Sequence, residues 1–153
     1  MKLKLYLPNM KTNILTIVAL SLFTLFTFSS CKKDNKNSTD IFTSKTWKRG
    51  LTDKNPSTNP PGKVLYSPVQ NCEKDDTFKF ATDGSFIINR STEKCDLDES
   101  QNETDTYTLN RTTRELVISG VRYILAEESS NQIKYYVTIP SQTGYDYLVF
   151  LLQ

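Results

Sequence analysis

The chain contains no histidine. This removes the commonest general base, so every Ser–His or Cys–His nucleophile system lacks a member. No Gly-x-Ser-x-Gly elbow is present either. The same absence takes imidazole away from any zinc site, and the cysteines do not form a Cys-x-x-Cys pair. No enzymatic activity, metal centre or cofactor is therefore expected. Basic residues are not in real excess: 19 Lys and Arg face 17 Asp and Glu, and three of the lysines (Lys2, Lys4 and Lys11) fall in the first 31 residues. The 122 residues after Cys31 carry a net charge of −1, which offers no basic face to nucleic acid.

The first thirty residues differ from the rest. Three lysines precede an uncharged run, Ile14–Phe28, that lacks Pro and Gly. The run is shorter than the roughly 20 apolar residues a spanning helix needs. A positive start, a short apolar core and small residues at the end describe a secretory signal over residues 1–30. Ser29 and Ser30 lead directly into Cys31. "FSSCKKD" resembles the lipobox of bacterial lipoproteins, with Phe28 where that family usually has Leu. The resemblance implies cleavage before Cys31, a diacylglycerol on its thiol and a lipid anchor in the outer membrane. An odd cysteine in an exported chain needs such an explanation. Cys72 and Cys95 are then left either as a disulfide, which an oxidising compartment permits, or as two free thiols.

Residues 31–40 read as the acylated cysteine and a polar, flexible tether, and residues 41–153 as one domain. Eight Tyr, eight Phe and one Trp favour strands over helices. Trp47 sits on a short first strand. A Pro- and Asn-rich stretch, Thr52–Lys63, then admits no strand and reads as a long loop, either a lid that gates the barrel mouth (Asp53–Lys63) or a disordered excursion. In "TFKFATDGSFIIN", Phe78 and Phe80 alternate with polar residues, and Asp83-Gly84 suits a two-residue type I′ hairpin turn. Further alternating runs follow to the C-terminus. They give about eight strands joined mostly by short turns and predict an all-β, antiparallel up-and-down barrel.

A Trp on the first strand, a long loop, "CEKDDTFKFATDGSF" and a second cysteine after the hairpin together resemble the lipocalin-like domain of Bacteroidota lipoproteins. Lys45 stands where strict lipocalins have Gly. The resemblance covers residues 41–153 and implies a monomeric barrel that binds a small apolar ligand. The inward set is read as Trp47, Phe78, Phe80, Phe86, Ile88, Tyr107, Leu109, Tyr123, Leu125, Tyr135, Val137, Tyr147 and Val149. Of these, Trp47, Phe78, Phe80, Phe86, Tyr107, Tyr123, Tyr135 and Tyr147 are the candidate ligand contacts. The alternative is a filled barrel that binds a protein or glycan partner through its outside. Ile87, Ile124, Tyr136, Leu148 and Phe150 are read as its outward apolar positions. Asp96, Asp98 and Ser100 match the start of a calcium loop, but Gln101 and Tyr107 stand where Gly and Glu are needed. Glu73, Asp75 and Asp76 share one turn before a strand and read as capping it, not as a hydrolytic carboxylate pair.

Overall fold

The computed structural model describes residues 40–153. The signal sequence, Cys31 and the tether through Thr39 lie outside the described residues. Eight strands form: β1 (Val64–Tyr66), β2 (Thr77–Phe80), β3 (Ser85–Asn89), β4 (Asn102–Asn110), β5 (Glu115–Ile118), β6 (Val121–Glu128), β7 (Ile133–Thr138) and β8 (Tyr147–Leu152). Among the described residues the only helical turns are single 3₁₀ turns, such as Asn71–Glu73 before β2. The all-β expectation holds.

The strands make one sheet in the order β1-β8-β7-β6-β5-β4-β3-β2, antiparallel throughout except for β1 beside β8, which is parallel. The expected antiparallel barrel is thereby corrected: the sheet is mixed, and its ladder is not closed, with β1 and β2 as its edges. The Pro-rich excursion is the cause. It carries the chain away after Gly50 and returns it along β8 in the same direction, and the run stops at Pro68, which has no N–H to donate. Trp47 is also corrected, from a strand to a single bridge. Its N–H and C=O pair with Phe78 at 2.8 Å each. Three residues on, Gly50 N–H donates to the Leu151 carbonyl (2.9 Å), and between them Lys48 exchanges both bonds with Gln153. This short segment therefore touches β2 on one side and β8 on the other. Gly50 permits the approach: a Cβ there would come within 2.7 Å of the Leu151 Cβ.

The β2–β3 hairpin forms where "ATDGS" predicts it, but with a different turn. Phe80 pairs with Phe86, which leaves too many residues for a two-residue loop. Gly84 alone takes positive φ (86°), its N–H donates to Ala81, and the Asp83 carboxylate accepts from Ser85 N–H at 2.9 Å. This is the wider type I turn followed by a left-handed glycine. The two-residue turn with positive φ at both positions lies instead at Ser119 (52°) and Gly120 (76°), joining β5 to β6.

The inward reading holds for β2, β3, β4 and β6 and for Tyr135 on β7. Phe42, Trp47, Phe80, Phe86, Leu116, Ile118, Leu125, Ile133, Tyr135 and Leu152 form the buried cluster, with Phe78, Ile88, Tyr107, Leu109, Tyr123 and Phe150 packed against it. On β8 the phase is reversed. Phe150 pairs with core residue Tyr135 and Leu152 with Ile133, whereas Tyr147 and Val149 face the other side with Thr138 and Tyr136. "YLVFLL" is apolar at every position, so alternation could not set its phase. Its outer face is also buried, by the segment that leaves after Gly50: Val149 and Leu151 are both in the interior.

Cys72 and Cys95 are joined as a disulfide, with Cα atoms 5.2 Å apart and a sequence separation of 23. It ties the turn before β2 to the β3–β4 loop. Cys72→Ser/Cys95→Ser should lower the unfolding free energy by about 3 kcal/mol on the chain-entropy estimate. Urea unfolding at equilibrium measures this, and an unchanged midpoint would contradict it.

Candidate functional site

Seven of the eight proposed ligand contacts share one face of the sheet and pack on one another. Phe80 meets Phe42 (4.8 Å between ring centroids), Tyr107 (4.8 Å) and Phe86 (5.0 Å). Tyr123, Tyr135 and Phe150 form a second cluster with centroids 5.0–5.5 Å apart. The Trp47 ring is fully buried, and its Nε1–H donates to the Phe42 carbonyl at 3.0 Å. The Tyr107 hydroxyl donates to the Ala81 carbonyl at 3.0 Å. These rings serve as partners to one another. Tyr147 is apart from them, on the outer face, against Tyr136 at 5.1 Å.

A second group of residues, which sequence alternation does not reveal, sits on that outer face. Lys134 lies on β7 between the core residues Ile133 and Tyr135, so it points away from the core, yet its side chain is 0% exposed. The Pro-rich loop covers it. Its Nζ donates to Asp53 Oδ2 (2.7 Å), the Asn55 carbonyl (2.7 Å) and Asn59 Oδ1 (2.8 Å), which uses all three ammonium hydrogens. Asp53 accepts three more bonds, from the Tyr66 hydroxyl, Gln132 Nε2 and Asn55 N–H. Gln132, also fully buried, donates to Glu127 Oε2 and accepts from Lys54 N–H and Gln153 Nε2. The β6 irregularity between Leu125 and Glu127 puts Glu127 opposite Lys134, on the outer face; a regular strand would have turned it inward. Thr52–Lys63 is therefore not laid across the mouth as a gate. It is strapped to the outside of the sheet.

Burial raises the Asp53 carboxyl's pKa, but hydrogen bonds from Lys134, Asn55, Tyr66 and Gln132 outweigh this and hold it at about 2, below its usual 3.8. The sign follows from linkage. Stabilisation by the ionised form is present above the unfolded-state value and is lost as pH falls from about 4 to about 2. Allowing for solvent screening, the loss is of order 1–2 kcal/mol. The stability gap between wild type and Asp53→Asn, measured by urea unfolding at pH 5 and at pH 2, should shrink by that amount. A constant gap would contradict it.

The strap creates one wall of a cleft of about 680 Å³. Gly50–Asp53 and Tyr66–Val69 face each other across it, with Leu151 and Lys74 also in the lining. Leu51 is 67% exposed there and Tyr66 37%. Tyr66 is oriented by its hydroxyl, which donates to Asp53 and accepts from Asn59 Nδ2 at 2.7 Å. The cleft thus offers apolar surface (Leu51, Tyr66, Pro68, Val69) with a few fixed polar groups, a combination that suits binding more than covalent chemistry. Asp53 and Tyr66, the polar residues that shape it, were hidden in sequence because one lies in a low-complexity loop and the other on a three-residue strand. Compared with known proteins, the chain matches no protein-family description, no curated protein and no solved structure.

Proposed function

We propose that the chain is a lipid-anchored, non-enzymatic lipoprotein of the bacterial cell envelope, a monomer whose lipocalin-like β-domain binds a small apolar ligand. The lipobox-like "FSSCKKD" supports the anchor on Cys31 and an outer-membrane location. The stretch "CEKDDTFKFATDGSF" supports the lipocalin-like assignment, with Trp47–Gly50 as the remnant of the first strand bridging β2 and β8. The ligand's place is the outer cleft, not the ring-filled interior. The observation that carries this is the 680 Å³ cleft, within the usual size of small-molecule sites, whose wall is held in place by buried Lys134.

Two measurements test it. A fatty-acid probe fed to an expressing bacterium should label the wild type and not Cys31→Ser. Native mass spectrometry of the full chain in mild detergent should show a stoichiometric apolar molecule beyond the anchor, lost in Leu51→Asp. Absence of the label would remove the anchor, and a bare protein mass would remove the ligand. The second reading, a filled scaffold with a protein partner, is favoured by Leu65 and Tyr66, which lie exposed on the edge strand β1. An extended segment could add to that edge.

A further inference from the structure

The net charge of −1 after Cys31 is not spread evenly over the domain. β4 runs for 9 residues, roughly 27 Å, between two differently charged ends. At its Asn102 end lies the loop of residues 90–99 and, tied to it by the disulfide, the turn of residues 73–76. Together these hold seven acids against three bases, a net charge of −4. At its Asn110 end the balance reverses. Arg111 and Arg114 lie in the β4–β5 turn. Lys45 Nζ and Lys54 Nζ donate to the Ser130 (2.8 Å) and Asn131 (3.4 Å) carbonyls of the neighbouring β6–β7 turn, and Lys48 pairs with Gln153 just past β8. Lys45, Lys48, Lys54 and Arg114 are exposed and form no ion pair among the described residues. The acids at this end are largely taken up. Asp40 and Glu128 share Arg111 at 2.8 and 2.6 Å, Glu115 pairs with Arg122, Glu127 accepts from Gln132, and Asp83 caps its own turn.

The chain also enters the domain at this basic end. Asp40, the first described residue, is held there by Arg111 and by Phe42 N–H, which donates to it at 3.0 Å. Cys31 lies nine positions earlier, a span of at most about 30 Å, and Lys32, Lys33 and Lys36 against Asp34 add positive charge between them. We propose that the basic end is a docking face for the anionic lipid headgroups of the membrane that holds the chain, with the acidic end turned away from them. This rests on the anchor proposed at Cys31, because the tether is what brings that end to the membrane. A domain swinging on its tether could present either end. Near an anionic surface each exposed cation strengthens attachment about fivefold, and the acids of the far end are repelled. The two effects select the same orientation.

Trp47, the only tryptophan in the chain, is a native probe of this face: Lys45 Nζ lies 4.2 Å from its ring centre. The protein released from its own envelope is reconstituted into vesicles of phosphatidylcholine, or of an equal mixture of phosphatidylcholine and phosphatidylglycerol. Each carries a dansyl-headgroup lipid as acceptor for energy transfer from Trp47. At low salt, transfer should be about twofold higher or more in the mixed vesicles. The excess should vanish at about 0.5 M salt, where screening shortens the field to a few ångströms. Lys45→Glu/Lys48→Glu should abolish it, and Lys74→Glu/Lys94→Glu, the same charge change at the acidic end, should leave it. Equal transfer in the two vesicles overturns the proposal, as does an excess that salt does not remove; neither result needs a variant to fold. So does an excess that both pairs of variants abolish alike. Flotation with phosphatidylcholine alone reads the anchor separately. If the chain does not float there, the anchor is lost, and flotation with the mixed vesicles decides the face: binding that needs Lys45 and Lys48 keeps it, and no binding removes it.

Discussion

Lys134→Met should lower the free energy of unfolding by about 3–5 kcal/mol, because removing one partner leaves a buried charge uncompensated. The side chain left behind is Asp53, 6% exposed, whose Oδ2 points at the space the ammonium filled. The Asn55 carbonyl and Asn59 Oδ1 lose their donor at the same time. A surface lysine, which is what alternation along "QIKYYV" suggests, would cost well under 1 kcal/mol to replace. The gap between these two figures makes the experiment decisive. Lys134→Met/Asp53→Leu should recover part of the loss, since an apolar pair can stand in for a buried ion pair. Recovery will be incomplete, because Tyr66, Gln132 and Asn55 N–H also donate to Asp53. Urea unfolding of the three proteins gives the cycle. A cost under about 1 kcal/mol for the single variant would show that the strap holds nothing.

Trp47→Ala should cost a similar amount, about 3–5 kcal/mol, as for other large-to-small changes in a packed core. The ring is fully buried, and it joins the Phe42 turn to β2 through the Nε1–H bond and the backbone pair with Phe78. Were Trp47 the wall of an open ligand cavity, truncation would enlarge the cavity and cost much less. Tyr147→Ala is the internal control. Tyr147 is half-buried on the outer face against Tyr136, so its loss should cost under about 2 kcal/mol. Thermal or urea unfolding of both variants separates a core position from a peripheral one. Equal costs would contradict the assignment of the two faces.

Much of this architecture is legible in the chain itself. Phe78 and Tyr107 stand between polar neighbours, and period two carries the same face through Phe80, Phe86 and Tyr123, all of which lie in or against the core. The sequence leaves Cys72 and Cys95 open between a disulfide and two free thiols, and the disulfide is what forms. Where one face is not polar, the signal vanishes: "YLVFLL" carries no phase, and Tyr147 lies on the outer face and not on the inward one that alternation suggests. The cover over that strand comes from residues nearly a hundred positions earlier, and local pattern carries no information about it. The same holds for Lys134. A buried lysine is indistinguishable from an exposed one until the loop that supplies its acceptors is placed. The turn at Asp83-Gly84 shows a smaller limit of the same kind. The dipeptide marks a hairpin, but the cross-strand register sets which turn is made.

The Pro-rich loop is a fixed wall, held by buried polar groups, and not a moving lid. Amide hydrogen exchange at Lys54 and Asn55 tests it most directly. Lys54 N–H donates to Gln132 Oε1 and Asn55 N–H to Asp53 Oδ1, each at 3.0 Å. If the strap is part of the folded core, both amides should exchange about as slowly as those of β7, through opening of the domain as a whole. Exchange at the rate of an unstructured peptide would mean that the loop opens by itself, and the preformed cleft would have to be given up.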